Sequence, residues 1–404
     1  MSNVQAAASS PARDTASSPV AAPQANAWVA VFTIALTAAV FCTTEFLPVG
    51  ILRYISAGLG VSEGTAGYMV TAPGLLAAIA APFLTVAIKN LDRRFVLWVL
   101  SALLMVSNLV DMLAPNFAVL IAGRVLFGIG LGGFWAIGAG LGGRLVEAKF
   151  AARATSIIFA GVSIGMLIGG PAGALLGDLV GWRPAFGVSL LLSAFALVLQ
   201  FIFLPPLHVK QSVAARDLLG IWRTANGKVG LIAMFLILSG QFATYTYVTP
   251  FLAQVSGFDG KAISSILLGY TAIGLLGNFA GGAGAGRNVK TTFLLTILFV
   301  LLPLLLLPTL GHSKVWAVAL LAVWGLAYGA MPVALQVWMA KAATDVPEGG
   351  MALFVANFQI SIALGSLAGG LIIDMSGIAG AMYFGAGIAA LSALLLVALG
   401  KKPA

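Results

Sequence analysis

The chain has 404 residues, of which 60% are hydrophobic and only 8% are charged, and its formal net charge is +9. Soluble domains are roughly 45–50% apolar and about 25% charged, so this composition excludes a soluble globule and indicates an integral membrane protein. A single cysteine, Cys42, excludes an internal disulfide framework and a cysteine zinc cluster. With only two histidines and no ATPase signature or catalytic cluster, we expect no metal, no cofactor and no enzyme activity.

Residues 1–26 are rich in Ala, Ser, Pro and Gln, and we interpret them as a disordered tail. Twelve apolar runs follow, each close to the roughly 20 residues that span a bilayer as a helix. Their predicted limits are 28–54, 65–88, 94–113, 117–142, 153–177, 184–205, 229–252, 262–285, 291–310, 315–340, 350–373 and 379–399.

The distribution of Lys and Arg predicts the orientation of these runs. Sixteen of the 21 basic residues fall in the two tails and the even-numbered connections, four fall on the opposite side, and Arg124 lies within a run. Because cytoplasmic loops carry the excess of positive charge, we expect both termini in the cytoplasm. This clustering in one set of loops explains the net charge without nucleic acid, which we do not expect as a partner.

The longest internal connection, 206–228, divides the runs six plus six. Short matches relate the two halves at one offset: 169–173 with Asp178 matches 365–369 with Asp374, and Glu45 falls on Gln241, all 196 residues apart. We therefore predict an all-α fold of twelve helices in two pseudo-symmetric six-helix bundles around a central cavity. The predicted domains are 1–26 (tail), 27–205 (N-terminal bundle), 206–228 (linker), 229–400 (C-terminal bundle) and 401–404 (tail).

Glu45 and Arg124 are the only ionisable side chains that we expect well inside a span. Counting back from Leu52 places Glu45 roughly 10 Å below the outer surface, and Arg124, seven residues after Phe117, lies at a similar depth. A charge at such depth is costly unless it is paired, so we predict a pair or near-pair that exchanges a proton. The alternatives are a structural Glu45 satisfied by a local partner, and an Arg124 that binds backbone carbonyls of the first helix.

Three segments carry a resemblance to a known family. The segment 85–94 ends in Asp92-Arg93-Arg94, the fourth run contains Arg124-Val-Leu-Phe-Gly128-Ile-Gly130, and the fifth contains Gly165-Met-Leu-Ile-Gly-Gly-Pro-Ala-Gly173. They resemble the motifs of the major facilitator superfamily, in its twelve-helix drug:proton antiporter branch. In the first motif the usual Gly and Asp are replaced by Thr85 and Lys89, so Asp92 is a candidate substitute in the gate. The resemblance implies gating or structural roles for Asp92, Arg93, Arg94, Gly169, Gly170, Pro171 and Gly173.

A narrower resemblance rests on the segments 45–49, 59–64, 132–136, 240–243, 246–247 and 324–326. They are similar to the bacterial purine ribonucleoside efflux permeases and their sugar-efflux relatives. Because sugar-efflux relatives often have His where Gln241 stands, Gln241 favours the nucleoside exporters.

An aromatic and amide-lined cavity is predicted from helical spacing on the four helices that line the cavity in this family. Aromatic residues at helical spacing more often lie in the core or face lipid than contact a substrate. Either location is therefore the alternative interpretation for each residue. The candidate substrate contacts are Phe41, Trp135, Gln241, Tyr245, Trp324 and Gln336.

The resemblance implies a proton-driven exporter of the bacterial inner membrane that works by alternating access, with protons, a small organic molecule and the bilayer as its partners. A purine ribonucleoside-like metabolite is the favoured substrate, and a broad hydrophobic drug or sugar exporter is the alternative. A membrane receptor or intramembrane enzyme is a third class, which no catalytic cluster or sensor domain supports. We expect the protein to be a monomer.

Overall fold

The computed structural model describes residues 24–87, 91–138, 141–147, 150–207, 224–342 and 347–400. Most of the predicted tail 1–26 and of the linker 206–228, and all of 401–404, lie outside the described residues. The domain limits proposed from the sequence therefore remain predictions.

The described chain is helical and contains ten helices that are long and apolar enough to cross a membrane. The first bundle contains α1 (Gln24–Leu59), α2 (Glu63–Ala66), α3 (Tyr68–Ala87), α4 (Arg93–Leu113), α5 (Phe117–Gly138), α6 (Gly142–Leu145), α7 (Ala151–Leu179) and α8 (Trp182–Phe203). The second contains α9 (Ala225–Tyr245), α10 (Val248–Gln254), α11 (Gly260–Leu310), α12 (Lys314–Ala342) and α13 (Pro347–Leu399).

Two of these helices each carry two spans. The helix α11 has 51 residues and loses helical geometry at Asn288, where φ is −150° and ψ is 97°. The helix α13 has 53 residues and breaks at Gly377, whose φ of 77° favours glycine. Dividing both helices at these residues gives twelve spans, six in each bundle, which confirms the predicted fold class.

The seventh predicted span is broken rather than continuous. Helix α9 ends at Tyr245 and α10 begins at Val248, whereas the sequence predicted one run over 229–252. Pro250 explains the break, because a proline lacks the N–H that would bond the carbonyl four residues earlier, at Thr246, and its ring clashes with that carbonyl. At the same level of the bundle, α1 continues to Leu59, five residues beyond its predicted end.

The two ends of the helical assembly differ in their connections. We call the end with the short connections around residues 60–62, 114–116, 181, 255–259, 311–313 and 377 the short-loop end. The opposite end, from which the linker and the connection at 88–92 emerge, is the linker end. The positive charge of the linker end predicts that it faces the cytoplasm.

Five cross-bundle hydrogen bonds form a seam that runs from the short-loop end toward mid-helix. Helices α3 and α13 pack together on one side of it, and α7 and α11 on the other. The bonds run from Ser62 Oγ to Asp374 Oδ2 (2.9 Å), Gln254 Nε2 to Glu63 Oε1 (2.8 Å), Thr249 Oγ1 to the Val49 carbonyl (3.0 Å), Ser366 Oγ to the Gly67 carbonyl (3.2 Å) and Thr271 Oγ1 to the Leu167 carbonyl (2.8 Å).

The predicted repeat is visible as repeated helix contacts. Gly169 lies against the backbone of Thr43, and Gly365 lies against that of Ser239, so both partners are displaced by 196 residues. Gly173 meets the Leu47 carbonyl and Gly369 meets the Ala243 carbonyl, again at 196. These glycines let α7 pack closely on α1, and α13 on α9.

A second set of contacts repeats at an offset of 197. Gly128 packs against Pro73 and Gly325 against Tyr270, while Gly132 meets Ala77 and Gly329 meets Gly274. Helices α5 and α12 are therefore seated on α3 and α11 by equivalent residues. The duplication inferred from short sequence matches extends to the packing that holds each bundle together.

Candidate functional site

Glu45 lies on α1 at the interface between the bundles and is only 7% exposed. Its carboxylate lies beside the Gln359 side chain of α13, which belongs to the other bundle, and within electrostatic range of Arg124. Thr44 and Phe46, its neighbours along the chain, are also buried, and Phe46 contacts Phe242 across the interface with 6.0 Å between ring centroids. The one acidic residue of this stretch is thus enclosed by groups from both halves.

Arg124 ties four helices of the first bundle together. Its Nε donates to the Met69 carbonyl of α3 (3.0 Å), and its Nη1 donates to the Thr44 carbonyl of α1 (3.3 Å). The same Nη1 lies 3.9 Å from Asp111 Oδ2 on α4, and both side chains are fully buried. The backbone contact with the first helix is the one named in the alternative interpretation of Arg124.

The expectation that Glu45 and Arg124 are the only ionisable groups well inside a span overlooked Asp111, which is fully buried near the end of α4 and is the ion-pair partner of Arg124. Asp111 is two residues from the end of α4, a position that placed it at the membrane surface when span limits alone were considered. Its burial comes from tertiary packing, since Gly123 of α5 lies directly against its carboxylate. An acidic residue within the predicted run 94–113 was the signal that could have identified it.

The second bundle contributes an aromatic cluster near the same interface. Tyr245 of α9 stacks on Tyr270 of α11 and on Tyr328 of α12, with ring centroids 5.4 Å apart in both pairs. Trp324 of α12 meets Tyr245 and Tyr270 edge-on. Its Nε1 donates to Gln241 Oε1 at 2.7 Å, which fixes both side chains. Three predicted contacts, Gln241, Tyr245 and Trp324, therefore lie together.

Tyr270 and Tyr328 were not predicted, although they make up two of only seven tyrosines in the chain. Both lie within predicted runs that are apolar on every face, so helical spacing could not show which face meets the interface. Their location on α11 and α12 beside Tyr245 is a tertiary result.

The other three predicted contacts lie apart from this cluster. Phe41 is fully buried in the first bundle, where it stacks on Phe134 with 4.8 Å between centroids. Trp135 is half-buried and meets Phe134 edge-on. Gln336 is half-buried on α12, eight residues beyond Tyr328 toward the linker end. The structure therefore divides the predicted aromatic site into separate groups.

Several buried polar atoms around the interface have no hydrogen-bond partner within the described part of the chain. The group comprises the hydroxyls of Tyr270 and Tyr328, Gln241 Nε2 and Gln359 Oε1. Buried polar groups are almost always satisfied in folded proteins, so such a concentration indicates a place where water or a ligand binds.

The candidate gating turn has a structural arrangement. Asp92 caps α4 by accepting from Arg94 N–H (2.9 Å), and it also accepts from Leu207 N–H (2.9 Å) at the start of the linker. The Arg93 N–H donates to the Leu207 carbonyl at 3.1 Å, and the Arg94 guanidinium lies 4.4 Å from the centre of the Trp98 ring. Lys89, which stands where the family motif has its Asp, lies outside the described residues.

The fifth-run motif lies along α7 against α1. Its glycines replace side chains where the two backbones meet, and a Cβ on Gly173 would lie 2.5 Å from the Leu47 carbonyl oxygen. Gly170 faces the other bundle instead, because the atom nearest to a Cβ there is the Tyr245 hydroxyl, at 3.3 Å. Pro171 is buried within the helix. No group of three or more His, Cys, Asp or Glu side chains that could hold a metal occurs among the described residues.

Comparison with known proteins agrees with this architecture. The family model described as Major Facilitator Superfamily matches residues 33–349. The chain is 33% identical over 371 residues to the purine ribonucleoside efflux pump NepI of Salmonella paratyphi A, covering 92% of this chain and 94% of that protein.

Solved structures share the fold. The nucleoside transporter NupG superposes with a TM-score of 0.73 at 14% identity, covering 92% of this chain and 100% of that one. A bacterial homolog of the human lysosomal transporter Spinster superposes with a TM-score of 0.71 at 15% identity, covering 94% and 96%. With twelve spans in two repeated bundles and a family match over most of its length, the chain is a multi-pass membrane transporter that belongs to the major facilitator superfamily.

Proposed function

We propose that this protein is a proton-coupled antiporter that exports a purine ribonucleoside-like metabolite across the bacterial inner membrane. The function of the NepI relatives, which the chain matches over nearly their whole length, supports the substrate class. The proton gradient supplies the energy, and no bound cofactor takes part. The monomer is the transport unit, and the linker end with both termini faces the cytoplasm.

The position of Glu45 carries the proposal. It is an acidic group enclosed in the membrane, it lies between two bundles that must move apart, and a side chain of each bundle is beside it. An intramembrane carboxylate at such a place is a candidate proton carrier, because it can be charged only when it faces water or a counter-charge. Arg124 donates hydrogen bonds to two backbone carbonyls and pairs with Asp111. Because it also lies within electrostatic range of Glu45, its charge is shared between the carboxylates of Asp111 and Glu45.

Alternating access follows if the bundles separate at one end as they close at the other. The seam at the short-loop end holds the bundles together on the side that we assign to the periplasm, which corresponds to an inward-facing state. In that state an ionised Glu45 accepts a hydrogen bond from Gln359, and substrate enters from the cytoplasm. When the seam opens, a periplasmic proton binds to a Glu45 carboxylate oxygen and substrate leaves.

The protonated carboxyl then loses its attraction for Arg124, and Gln359 can accept the new O–H through its Oε1 atom, which has no partner in the described chain. Because an amide both donates and accepts, Gln359 can bind Glu45 in either protonation state. The bundles return with the proton, which is released to the cytoplasm. One cycle moves substrate outward and a proton inward.

Proteoliposomes with an imposed pH gradient test this proposal. We expect labelled inosine to move against its gradient with the wild-type protein, and Glu45→Gln to abolish that proton-driven movement while it retains inosine exchange between the two sides. Glu147→Gln, which changes an exposed carboxylate near the linker end, is the matched control. Proton-driven transport at the wild-type rate by Glu45→Gln would exclude Glu45 as the carrier.

Broad export of hydrophobic drugs is the second candidate, and one group of contacts favours it. Phe46, Phe242 and Phe358 form a phenyl cluster across the interface, with centroid distances of 6.0 Å and 6.3 Å. Such a surface binds apolar rings with little selectivity. Competition of inosine transport by arabinose and by a cationic dye separates the classes, since we expect inhibition by nucleosides and by neither of the other two.

A further inference from the structure

We infer that Tyr270 and Tyr328, together with Gln241, form the subsite that recognises the base of the substrate through their hydroxyl and amide groups. The ligand class is a flat, uncharged nitrogen heterocycle with hydrogen-bond acceptors on its edge, as in a purine. This inference rests on the proposed function, which it deepens by assigning base recognition to the second bundle.

The first argument is the unsatisfied chemistry of the cluster. The hydroxyls of Tyr270 and Tyr328 and the Nε2 of Gln241 are buried, and none of them makes a well-formed hydrogen bond within the described chain, although the Gln241 amide lies close enough to the Tyr270 hydroxyl to interact with it. Tyr270 is 3% exposed, Tyr328 is 6% exposed and Gln241 is fully buried. A cluster that served only to fill the core would be more stable with apolar side chains of the same shape, since an unpaired buried polar group is costly.

The second argument is that the rings are held in place without using these groups. The Tyr245 ring stacks against both of the other tyrosines, whose own centroids are 5.8 Å apart. Trp324 closes the cluster from the edge, and its bond to Gln241 Oε1 orients the amide. That oxygen already accepts one bond, whereas the Nε2 group makes no well-formed bond, so a ligand that binds to Nε2 must present an acceptor.

The third argument is location. A Cβ on Gly170 of the first bundle would have the Tyr245 hydroxyl as its nearest neighbour, and Tyr328 lies within electrostatic range of Glu45. The tyrosines therefore border the interface that opens during transport. A ligand between the bundles would meet Glu45 on one face and the tyrosine cluster on the other.

The chemistry selects the ligand class. Aromatic side chains stack on flat rings, and a tyrosine hydroxyl both donates and accepts, so two hydroxyls and an amide can match the mixed edge of a purine. A site with open, buried donors rejects a ligand that cannot fill them, which gives stronger selection than an apolar pocket provides. A sugar without a base has no flat aromatic face to stack on these rings.

Tyrosine-to-phenylalanine variants test the inference because they remove one oxygen and keep the ring. For Tyr270→Phe and Tyr328→Phe, we expect the melting temperature of the ligand-free protein to be unchanged or raised. We expect the dissociation constant for inosine and hypoxanthine to rise about 3- to 10-fold, the range for one hydrogen bond, and weak ribose binding to be unchanged.

Tyr247→Phe is the matched control in the same bundle. Tyr247 is 1% exposed, but its hydroxyl donates to the Ser366 carbonyl at 2.9 Å. Removing this hydroxyl loses a buried hydrogen bond that the folded protein makes, so we expect a lower melting temperature and wild-type affinity for inosine. The opposite pattern at Tyr270 and Tyr328 separates ligand recognition from packing.

Unchanged affinity for inosine in both Tyr270→Phe and Tyr328→Phe would overturn the inference, whatever their melting temperatures. An equal loss of affinity for inosine and ribose would overturn it too, because that would indicate general damage. If wild type transports inosine with the pH gradient but the variants bind it normally, only the subsite fails. If purified wild type binds inosine and the variants lose that affinity, but no proton-driven transport occurs, the coupling proposal fails and the subsite stands.

Discussion

Breaking the buried Arg124–Asp111 pair should be far more damaging than removing it. Arg124→Leu deletes two hydrogen bonds to carbonyls and leaves Asp111 without its counter-charge in a fully buried position. Breaking one partner of a buried pair typically costs about 3–5 kcal/mol. Asp111→Leu should cost a similar amount, because it leaves the guanidinium charge balanced only by more distant groups.

The double variant should recover most of this loss. At 3.9 Å, two unit charges attract by about 4 kcal/mol at an effective dielectric constant of about 20, and this attraction disappears together with both desolvation costs. Replacing a buried ion pair by apolar groups of similar size is often neutral or stabilising by about 1–4 kcal/mol. We therefore expect Arg124→Leu with Asp111→Leu to be more stable than either single variant.

A double-mutant cycle in mixed micelles, with unfolding followed during a titration with sodium dodecyl sulfate, measures the coupling energy. A second cycle, with Glu45→Gln in place of Asp111→Leu, measures the coupling energy between Glu45 and Arg124 for comparison. We expect this energy to be smaller, because among the described residues Asp111 is the only one with an ion pair to Arg124 within 4.0 Å. Additive losses in the Asp111 cycle, or a larger coupling to Glu45, would refute this assignment of the partner.

Three further changes have expected outcomes. Gly173→Ala should lower the melting temperature, by an amount equivalent to about 1–3 kcal/mol, because the new methyl group meets helix backbone, whereas Gly269→Ala, with no atom within 4 Å of its Cβ, should be neutral or stabilising. Asp374→Ala removes a cross-bundle hydrogen bond, so labelling of a cysteine introduced at Thr249 by a membrane-impermeant thiol reagent should become faster. Asp92→Ala should cost about 1 kcal/mol by loss of a helix cap and should speed proteolysis of the linker, without changing that labelling rate.

Features that depend on chain length and composition could be predicted from the sequence. The number of spans follows from hydrophobic length, and the six-plus-six division follows from the position of the basic connection. The repeat offset also predicted which glycines would occupy equivalent places, because helix contacts in a bilayer depend on small residues at fixed spacing. The break after Tyr245 could not have been expected from Pro250 alone, because prolines such as Pro48 and Pro171 lie inside continuous helices.

Features that depend on which helix faces meet could not be predicted in this way. The spans are apolar all round, so periodicity does not distinguish a lipid-facing residue from one in the core. Phe41 and Tyr245 had the same sequence signal, yet the first packs inside its own bundle and the second borders the interface. The partner of Arg124 also required three-dimensional contacts, because Glu45 and Asp111 are both acidic residues in neighbouring spans.

The repeat identifies the residues at which the two bundles have diverged. Under the offset of 197 that relates the packing of α5 to that of α12, Arg124 corresponds to Leu321, and Tyr270 corresponds to Pro73. Both bundles share the glycines at which their helices pack closely. In contrast, the buried Glu45, Asp111 and Arg124 belong to the first bundle, and the clustered tyrosines belong to the second. Packing has thus preserved the symmetry of the two bundles.

This division has a consequence for coupling. If the proton binds on the first bundle and the base on the second, the proton does not contact the base, and the two sites are connected only when the bundles approach each other. Glu45 and its counterpart at an offset of 196, Gln241, would then face one substrate from opposite sides. In the proposed mechanism, neutralising Glu45 would change how strongly the first bundle holds a ligand that the second bundle still binds. A shift in that balance, rather than direct contact between proton and base, is sufficient for exchange.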